Sequence, residues 1–117
     1  MIFIQYPACS TCQKAKKWLT EQGIAVNIRH IVDDAPSETE LTEWITRSGL
    51  PIKKFFNTSG VLYKELSLKE KLPTMTESEQ ITLLATNGKL VKRPLLIGKD
   101  FVLIGFKLEK WSKALKH

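Results

Sequence analysis

The feature that most constrains the fold is a strand–helix–strand pattern in the first thirty or so residues. Residues 2–6 are apolar on both alternating faces, as in a central strand, and Pro7 ends the run. Helical spacing follows from Cys9 to Gly23, a glycine typical of a helix C-terminus. Residues 24–32 then alternate as a second strand. This β-α-β unit predicts two parallel strands joined by a right-handed crossover.

The middle of the chain predicts helices, and the last third predicts strands again. Ser37 followed by Glu40, and Thr76 followed by Glu79, form two capping boxes that mark helix starts. Two short apolar runs around residues 98–100 predict an antiparallel hairpin, after which a closing helix follows.

The chain has 117 residues, enough for one hydrophobic core but not for two ordinary domains. We therefore expect a single domain spanning residues 1–117. Its sheet-containing core would comprise residues 1–32 and 91–117, and residues 33–90 would form a helical insert. The fold class that these patterns predict is α/β.

The composition indicates which class of protein this is and in which compartment we expect it. Hydrophobic residues make up 43% of the chain and charged residues 26%, a balance typical of globular proteins that excludes a disordered tail. No apolar run approaches the length of a membrane span, and the N-terminus lacks the basic start of an export signal. We therefore expect a cytoplasmic protein that binds no membrane. A net charge of +6 is compatible with binding oxyanions, acidic protein surfaces or nucleic acid, but a modest excess of lysine is most often only a solvated surface, and direct nucleic-acid binding is not expected.

The two cysteines, Cys9 and Cys12, lie at the predicted start of the first helix. Cytoplasmic thiols are kept reduced, so a close pair indicates redox chemistry or metal binding rather than a structural disulfide. A thiolate at a helix N-cap is stabilised by unpaired backbone amides and by the helix dipole, which predicts that Cys9 is a nucleophile. Cys12, one turn further on, is either the thiol that resolves an adduct on Cys9 or a small buried side chain.

A metal site is not expected. Zinc would need four ligands, and beyond the cysteines the chain offers only His30 and His117, which are better explained as a strand residue and a terminal residue. No nucleotide-binding glycine motif and no serine-hydrolase motif is present. The sequence therefore favours thiol chemistry.

Two motifs carry a family resemblance over the whole chain: PACSTC at residues 7–12 and KRPLLI at residues 92–97. The chain resembles the ArsC and Spx family of thioredoxin-like, or glutaredoxin-like, proteins. The resemblance implies a central mixed four-stranded sheet and a cis Arg93–Pro94 bond facing the active cysteine. It also implies that Arg93 stabilises the Cys9 thiolate and binds an anion through its planar fork. Ser10, Thr11 and Pro94 are then the expected substrate-binding residues.

The sequence departs from the family's arsenate reductases at several positions. Those enzymes keep three arginines around the cysteine, and here only Arg93 matches. Asn57 falls where the second would be, and GFKLE at residues 105–109 replaces the segment of the third. Cys12 stands where the reductases have serine, and in this it is similar to the Spx regulators.

The resemblance implies two functions. The first is an arsenate reductase-like thiol oxidoreductase, in which Cys9 attacks an oxyanion or a protein or glutathione disulfide and Cys12 resolves the adduct. It would need no bound cofactor, only an external thiol donor such as glutathione with glutaredoxin, or thioredoxin. The alternative is a redox-switched regulator that binds the RNA polymerase alpha subunit near Arg47 and Gly49. Spx-type regulators usually carry a basic extension, and this sequence ends at His117. A binding domain with inert thiols is a third possibility.

Overall fold

A computed structural model describes residues 1–115 of the chain; His117, named above as a candidate ligand, lies outside the described residues. Four strands and six α-helices are joined by short turns in this part of the chain. In chain order they are β1 (Ile2–Gln5), α1 (Ser10–Glu21), β2 (Asn27–His30), α2 (Glu38–Ser48), α3 (Val61–Glu65), α4 (Leu68–Lys71), α5 (Glu77–Thr86), β3 (Leu95–Ile97), β4 (Val102–Ile104) and α6 (Leu108–Ala114).

The strands form one mixed sheet in the order β2-β1-β3-β4. β1 is parallel to β2 and antiparallel to β3, and β3 is antiparallel to β4. The apolar character of β1 on both faces follows from its central position, since Phe3 and Ile4 are both fully buried. The predicted mixed four-stranded sheet is confirmed.

Helices cover the sheet on two faces. Phe3 of β1 and Leu96 of β3 point to one face, where they pack with Leu19 of α1 and Trp111 of α6. Ile4 points to the other face and joins a larger cluster formed by the segment between β2 and β3. The insert therefore rests on one face of the sheet, and the helix that begins beside the cysteines rests on the other.

The local signals for the helix ends are confirmed. Both capping boxes form, with the hydroxyls of Ser37 and Thr76 accepting from the amides of Glu40 and Glu79 at 3.1 Å. Gly23 follows α1 with a φ of +69°, the left-handed conformation that glycine adopts without steric cost.

The second strand is shorter than the predicted run of residues 24–32. β2 covers only Asn27–His30 because its single partner, β1, has four residues to pair with it. β2 is also an edge strand, and Ile28 is consequently 52% exposed. The alternation of apolar and polar residues predicted the strand, but it could not show how many residues of β1 are available to pair with it.

Candidate functional site

The site begins with the turn between β1 and α1, which positions Cys9. The Cys9 amide donates to the Tyr6 carbonyl at 2.9 Å, closing a tight turn through Pro7. Gln13 then fastens the turn, because its side-chain amide donates to Gln5 Oε1 and to the Pro7 carbonyl, each at 3.1 Å. This network holds the start of α1 against the end of the central strand.

Cys9 is the N-cap residue of α1, as its sequence position predicts. Its backbone is extended (φ −88°, ψ 115°), and its sulfur accepts a hydrogen bond from the Cys12 amide at 3.4 Å. The first turn of α1 contains no acidic residue that would oppose a negative charge there. The half-buried Cys9 sulfur therefore lies at the positive end of the helix dipole.

The two thiols differ in their environments. Partial burial raises the pKa of the Cys9 thiol, but hydrogen bonds from the Cys12 thiol and amide, together with Arg93, outweigh burial and hold that pKa below its ordinary value. Burial raises the pKa of the fully buried Cys12 thiol to about 12, and the Cys9 sulfur beside it contributes to the rise. Cys9 therefore ionises more readily than an ordinary thiol, whereas Cys12 stays protonated at neutral pH.

Arg93 approaches Cys9 through the turn that precedes β3. The Arg93–Pro94 peptide bond is cis, as the family resemblance implies. The Arg93 guanidinium carbon lies 4.9 Å from the centre of the Tyr6 ring, a cation–π contact, and Tyr6 packs edge-on against His30. In residues 1–115 Arg93 forms no ion pair with a carboxylate, so the thiolate is the anion it faces.

Two further segments are tied to this turn by backbone hydrogen bonds. The Gly105 amide donates to the Pro94 carbonyl at 2.8 Å, and the buried Trp111 indole donates to the Gly105 carbonyl at 2.9 Å. On the other side, the Asn57 amide donates to the Leu90 carbonyl at 2.7 Å. These bonds place the GFKLE segment and Asn57 next to the residues before β3.

The assembled residues enclose a cleft of about 540 Å³. Among the expected site residues, Cys9, Thr11 and Arg93 line it. Cys12 and Pro94 are buried, and the exposed Ser10 at the start of α1 is outside the lining. The remaining lining residues are Asn57, Ser59, Gly60, Val61, Lys92, Ile104, Gly105, Phe106 and Lys107.

Lys92 and Lys107 are the charged cleft residues that the sequence analysis did not assign to the site. Lys92 directly precedes Arg93, and Lys107 lies in the segment that replaces a family arginine. Their positions in those two segments were the available signals, but a surface lysine has no distinctive pattern of its own. Only the folded chain shows that both line the same cleft as Cys9.

Two features are absent from the described residues, a cluster of metal-ligating side chains and a membrane-spanning helix. Within residues 1–115, no group of three or more histidine, cysteine, aspartate or glutamate side chains is arranged to hold a metal. None of the helices in this part of the chain is both long enough and apolar enough to cross a bilayer.

The sheet order, the covering helices and the cysteine pair at the first strand–helix turn define a thioredoxin-like α/β protein. The chain belongs to the ArsC family, whose sequence pattern matches residues 4–114. Both statements confirm the resemblance drawn from the PACSTC and KRPLLI motifs.

Two solved structures illustrate the similarity. A protein related to the ArsC family from Bacteroides fragilis is 70% identical, with a TM-score of 0.94, and the match covers 96% of this chain and 94% of that one. A possible arsenate reductase from Streptococcus mutans is 38% identical, with a TM-score of 0.87 and coverage of 95% and 96%.

Curated relatives include a regulator. The protein YusI of Bacillus subtilis is 50% identical over 97% of this chain and 96% of its own length. The regulatory protein MgsR of the same organism is 31% identical over 91% of this chain and 82% of its own length. The family therefore contains relatives named for regulation as well as structures named for arsenate reduction.

Proposed function

We propose that the chain is an arsenate reductase-like thiol oxidoreductase in which Cys9 attacks a disulfide or an oxyanion and Cys12 resolves the adduct. The observation that carries this proposal is the placement of the two sulfurs: Cys9 is the N-cap of α1 and its sulfur accepts from the Cys12 amide at 3.4 Å, whereas Cys12 is fully buried one turn further on. The pKa of Cys9 is accordingly lowered and that of Cys12 is raised. A thiolate nucleophile beside a protonated partner is the arrangement that thiol–disulfide exchange requires.

In the first step the Cys9 thiolate attacks one sulfur of the disulfide. A bond forms between Cys9 and that sulfur, the substrate's S–S bond breaks, and the other half leaves as a thiolate. Arg93 stabilises the Cys9 anion before attack, and its side chain remains beside the sulfur on which the mixed disulfide forms.

In the second step Cys12 gives up its proton and attacks Cys9 Sγ, the bond between Cys9 and the bound half breaks, and that half takes up the proton and leaves as a thiol. Consuming the Cys9 thiolate removes its charge and the hydrogen bond it accepts, both of which raise the pKa of Cys12. Formation of the mixed disulfide thus favours ionisation of the very thiol that must attack next. The resulting Cys9–Cys12 disulfide is then reduced with two electrons by an external dithiol or by glutathione with glutaredoxin.

Turnover by the purified protein tests the proposal. We expect it to reduce hydroxyethyl disulfide with either a thioredoxin system or glutathione and glutaredoxin, followed as NADPH consumption, with arsenate assayed in parallel. Cys9→Ser should abolish turnover, and Cys12→Ser should accumulate a mixed disulfide visible by intact mass. The proposal is wrong if wild type turns over neither substrate and Cys12→Ser forms no mixed disulfide.

A redox-switched regulator is the second candidate, favoured by the similarity to MgsR. The suggested contact residues have structural explanations of their own. Arg47 donates to the Gly98 carbonyl at 2.7 Å and pairs with Glu43, and Gly49 ends α2 with a φ of +68°. If the regulator candidate is right, Cys9→Ser should retain binding to the RNA polymerase alpha subunit and lose only its dependence on oxidation.

A further inference from the structure

The cleft beside Cys9 is larger than a single oxyanion needs. Its volume of about 540 Å³ lies within the range of roughly 300–1,000 Å³ typical of sites for ligands of drug-like size. Its lining residues come from the start of α1, from the loop at residues 57–61, from residues 92–93 and from the loop at residues 104–107.

The charges along this cleft have one sign. Lys92, Arg93 and Lys107 line it, and no aspartate or glutamate is among the lining residues. Arg93 lies over the Tyr6 ring and lowers the pKa of the nearby Cys9 thiol. Both lysines are exposed, and neither forms an ion pair with a carboxylate in the described part of the chain. Two cationic side chains are therefore available to a ligand that extends beyond the sulfur.

The backbone keeps these lysines at the cleft. Gly105 has a φ of +67°, and a Cβ there would lie 3.2 Å from Lys92 Cε, so the aliphatic part of Lys92 lies across the glycine. The hydrogen bonds from Gly105 to Pro94 and from Trp111 to Gly105 hold the loop that leads to Lys107. The loop at residues 57–61 contributes no charged side chain to the lining, and within it Ser59 donates to Asn57 Oδ1 at 3.4 Å.

We propose that Lys92 and Lys107 form a carboxylate-binding subsite, and that the preferred electrophile of Cys9 is a disulfide whose retained half carries carboxylates. This inference rests on the proposed thiol–disulfide exchange and names its substrate class. Ammonium groups act as point charges that suit separate, flexible carboxylates, whereas a tetrahedral oxyanion is better matched by guanidinium forks. The bonds made and broken are those of the exchange described above: the anionic half remains on Cys9, and the other half leaves as a thiolate.

The test compares disulfides of different charge in single-turnover exchange with the reduced protein. Dithiobis(nitrobenzoate) is anionic, hydroxyethyl disulfide is neutral and cystamine is cationic. Each rate is divided by the rate of the same disulfide with mercaptoethanol, which removes differences in intrinsic reactivity. The ratio of the anionic to the neutral value also cancels any change in the Cys9 pKa, because both disulfides react with the same thiolate.

We expect wild type to favour the anionic disulfide and disfavour cystamine, with the preference weakening as ionic strength rises. Lys107→Glu and Lys92→Glu should each lower the anionic-to-neutral ratio by roughly tenfold, which is the lower end of the effect of a charged cleft on association rates. The ratio for Lys107→Gln should lie between those of wild type and Lys107→Glu. Lys99→Glu is the matched control, because this exposed lysine lies in the turn beyond the opposite end of β3 and should leave the ratio unchanged.

The possible failures are distinct. If the ratio in Lys92→Glu and Lys107→Glu equals that of wild type, or if Lys99→Glu lowers it equally, the subsite is overturned while thiol–disulfide exchange stands. If Cys9 reacts with none of the three disulfides, thiol–disulfide exchange fails and the subsite fails with it; the arsenate assay then decides whether the oxyanion reaction of the proposed function stands.

Discussion

Tyr6 influences the cysteine site through both its backbone and its ring. Its carbonyl accepts from the Cys9 amide, and its ring lies under the Arg93 guanidinium at 4.9 Å. The hydrogen bond to the Tyr6 carbonyl does not depend on the side chain. The cation–π contact does, because an aromatic face is needed to hold the Arg93 guanidinium near the Cys9 sulfur.

Replacing Tyr6 therefore separates these contributions. A cation–π contact contributes from about 0.5 to 2 kcal/mol, and one pKa unit corresponds to about 1.4 kcal/mol. We expect Tyr6→Leu to loosen Arg93 and raise the pKa of Cys9 by up to about one unit, seen as an upward shift in the pH dependence of Cys9 alkylation. Tyr6→Phe retains the ring and should match wild type; equal profiles for the leucine and phenylalanine variants would contradict this role.

Features of single residues could be predicted from the sequence where neighbouring residues determine them. The N-cap position of Cys9 follows from neighbouring residues, as do the capping boxes at Ser37 and Thr76. The contact between Tyr6 and Arg93 joins residues 87 positions apart, and no local pattern encodes it. The same holds for the cis peptide beside Cys9, which the family resemblance supplied.

At the scale of elements, an ion pair joins β2 to the start of α2. Arg29 donates to both carboxylate oxygens of Glu40, at 2.6 and 2.7 Å, and its backbone-directed bonds reach the carbonyls of Asp34 and Ala35. The hydrogen bond from Arg29 is the main reason that the pKa of Glu40 is lowered from 4.5 to about 2. The edge strand is thus held to β1 by its backbone ladder and to the start of α2 by this ion pair.

This pair predicts a defined pH dependence of stability. A carboxyl whose folded-state pKa is depressed stabilises the fold above its unfolded pKa, and the contribution is lost as pH falls through the folded pKa. Between about pH 4.5 and pH 2 we therefore expect wild type to lose more free energy of unfolding than Glu40→Gln, by about 1–2 kcal/mol. Urea denaturation at several pH values measures how the free energy of unfolding of each variant changes with pH. Glu65→Gln, at an exposed position, is the control, and a wild-type slope equal to that of Glu40→Gln would contradict the prediction.

Element boundaries were less predictable than element types. The sequence marked β2 correctly as a strand, but its length depends on β1, because hydrogen-bond partners set where a ladder stops. Asn87 and Gly88 were interpreted as a helix end, and α5 does end at Thr86. The need for glycine there has another cause: a Cβ on Gly88 would lie 1.8 Å from the Ile31 carbonyl oxygen.

At the scale of the whole molecule, Gly88 marks the place where the insert meets the sheet core. Ile31 directly follows β2, and Gly88 lies near the end of the insert, so their close approach brings two distant parts of the chain together. The division of the chain into a core of residues 1–32 and 91–117 and an insert stays a prediction, although the insert shares a hydrophobic cluster with β1 and β3.

We expect Gly88→Ala to separate the insert from the core enough to lower the free energy of unfolding by about 1–3 kcal/mol, the usual cost of overpacking. Gly49→Ala is the comparison. A Cβ there has no atom within 4 Å, so only the backbone strain of its φ of +68° applies, about 1–2 kcal/mol. The urea midpoint of Gly88→Ala should be lower than that of Gly49→Ala. The reverse order would show that the backbone at Ile31 shifts at little cost to accommodate a Cβ at residue 88.

Lys92 and Lys107 illustrate why the cleft could not be predicted from the sequence. The folded chain brings them together through hydrogen bonds around Pro94, Gly105 and Trp111, which belong to three different segments. A lysine signals a binding role only through its neighbours in space. The N-cap position of Cys9 could be predicted from the sequence, whereas the residues that surround its sulfur required the structure.

The central claim, that Cys9 is a thiolate activated by its helix and by Arg93, is tested most directly by the pH dependence of alkylation. Limiting iodoacetamide, with each cysteine quantified by peptide mass, should modify Cys9 with a midpoint below the ordinary thiol value and leave Cys12 unmodified in the folded protein. Arg93→Ala should raise the Cys9 midpoint, and Arg93→Lys should restore it only partly. Equal alkylation of both cysteines in wild type, or a Cys9 midpoint unchanged in Arg93→Ala, would contradict the account.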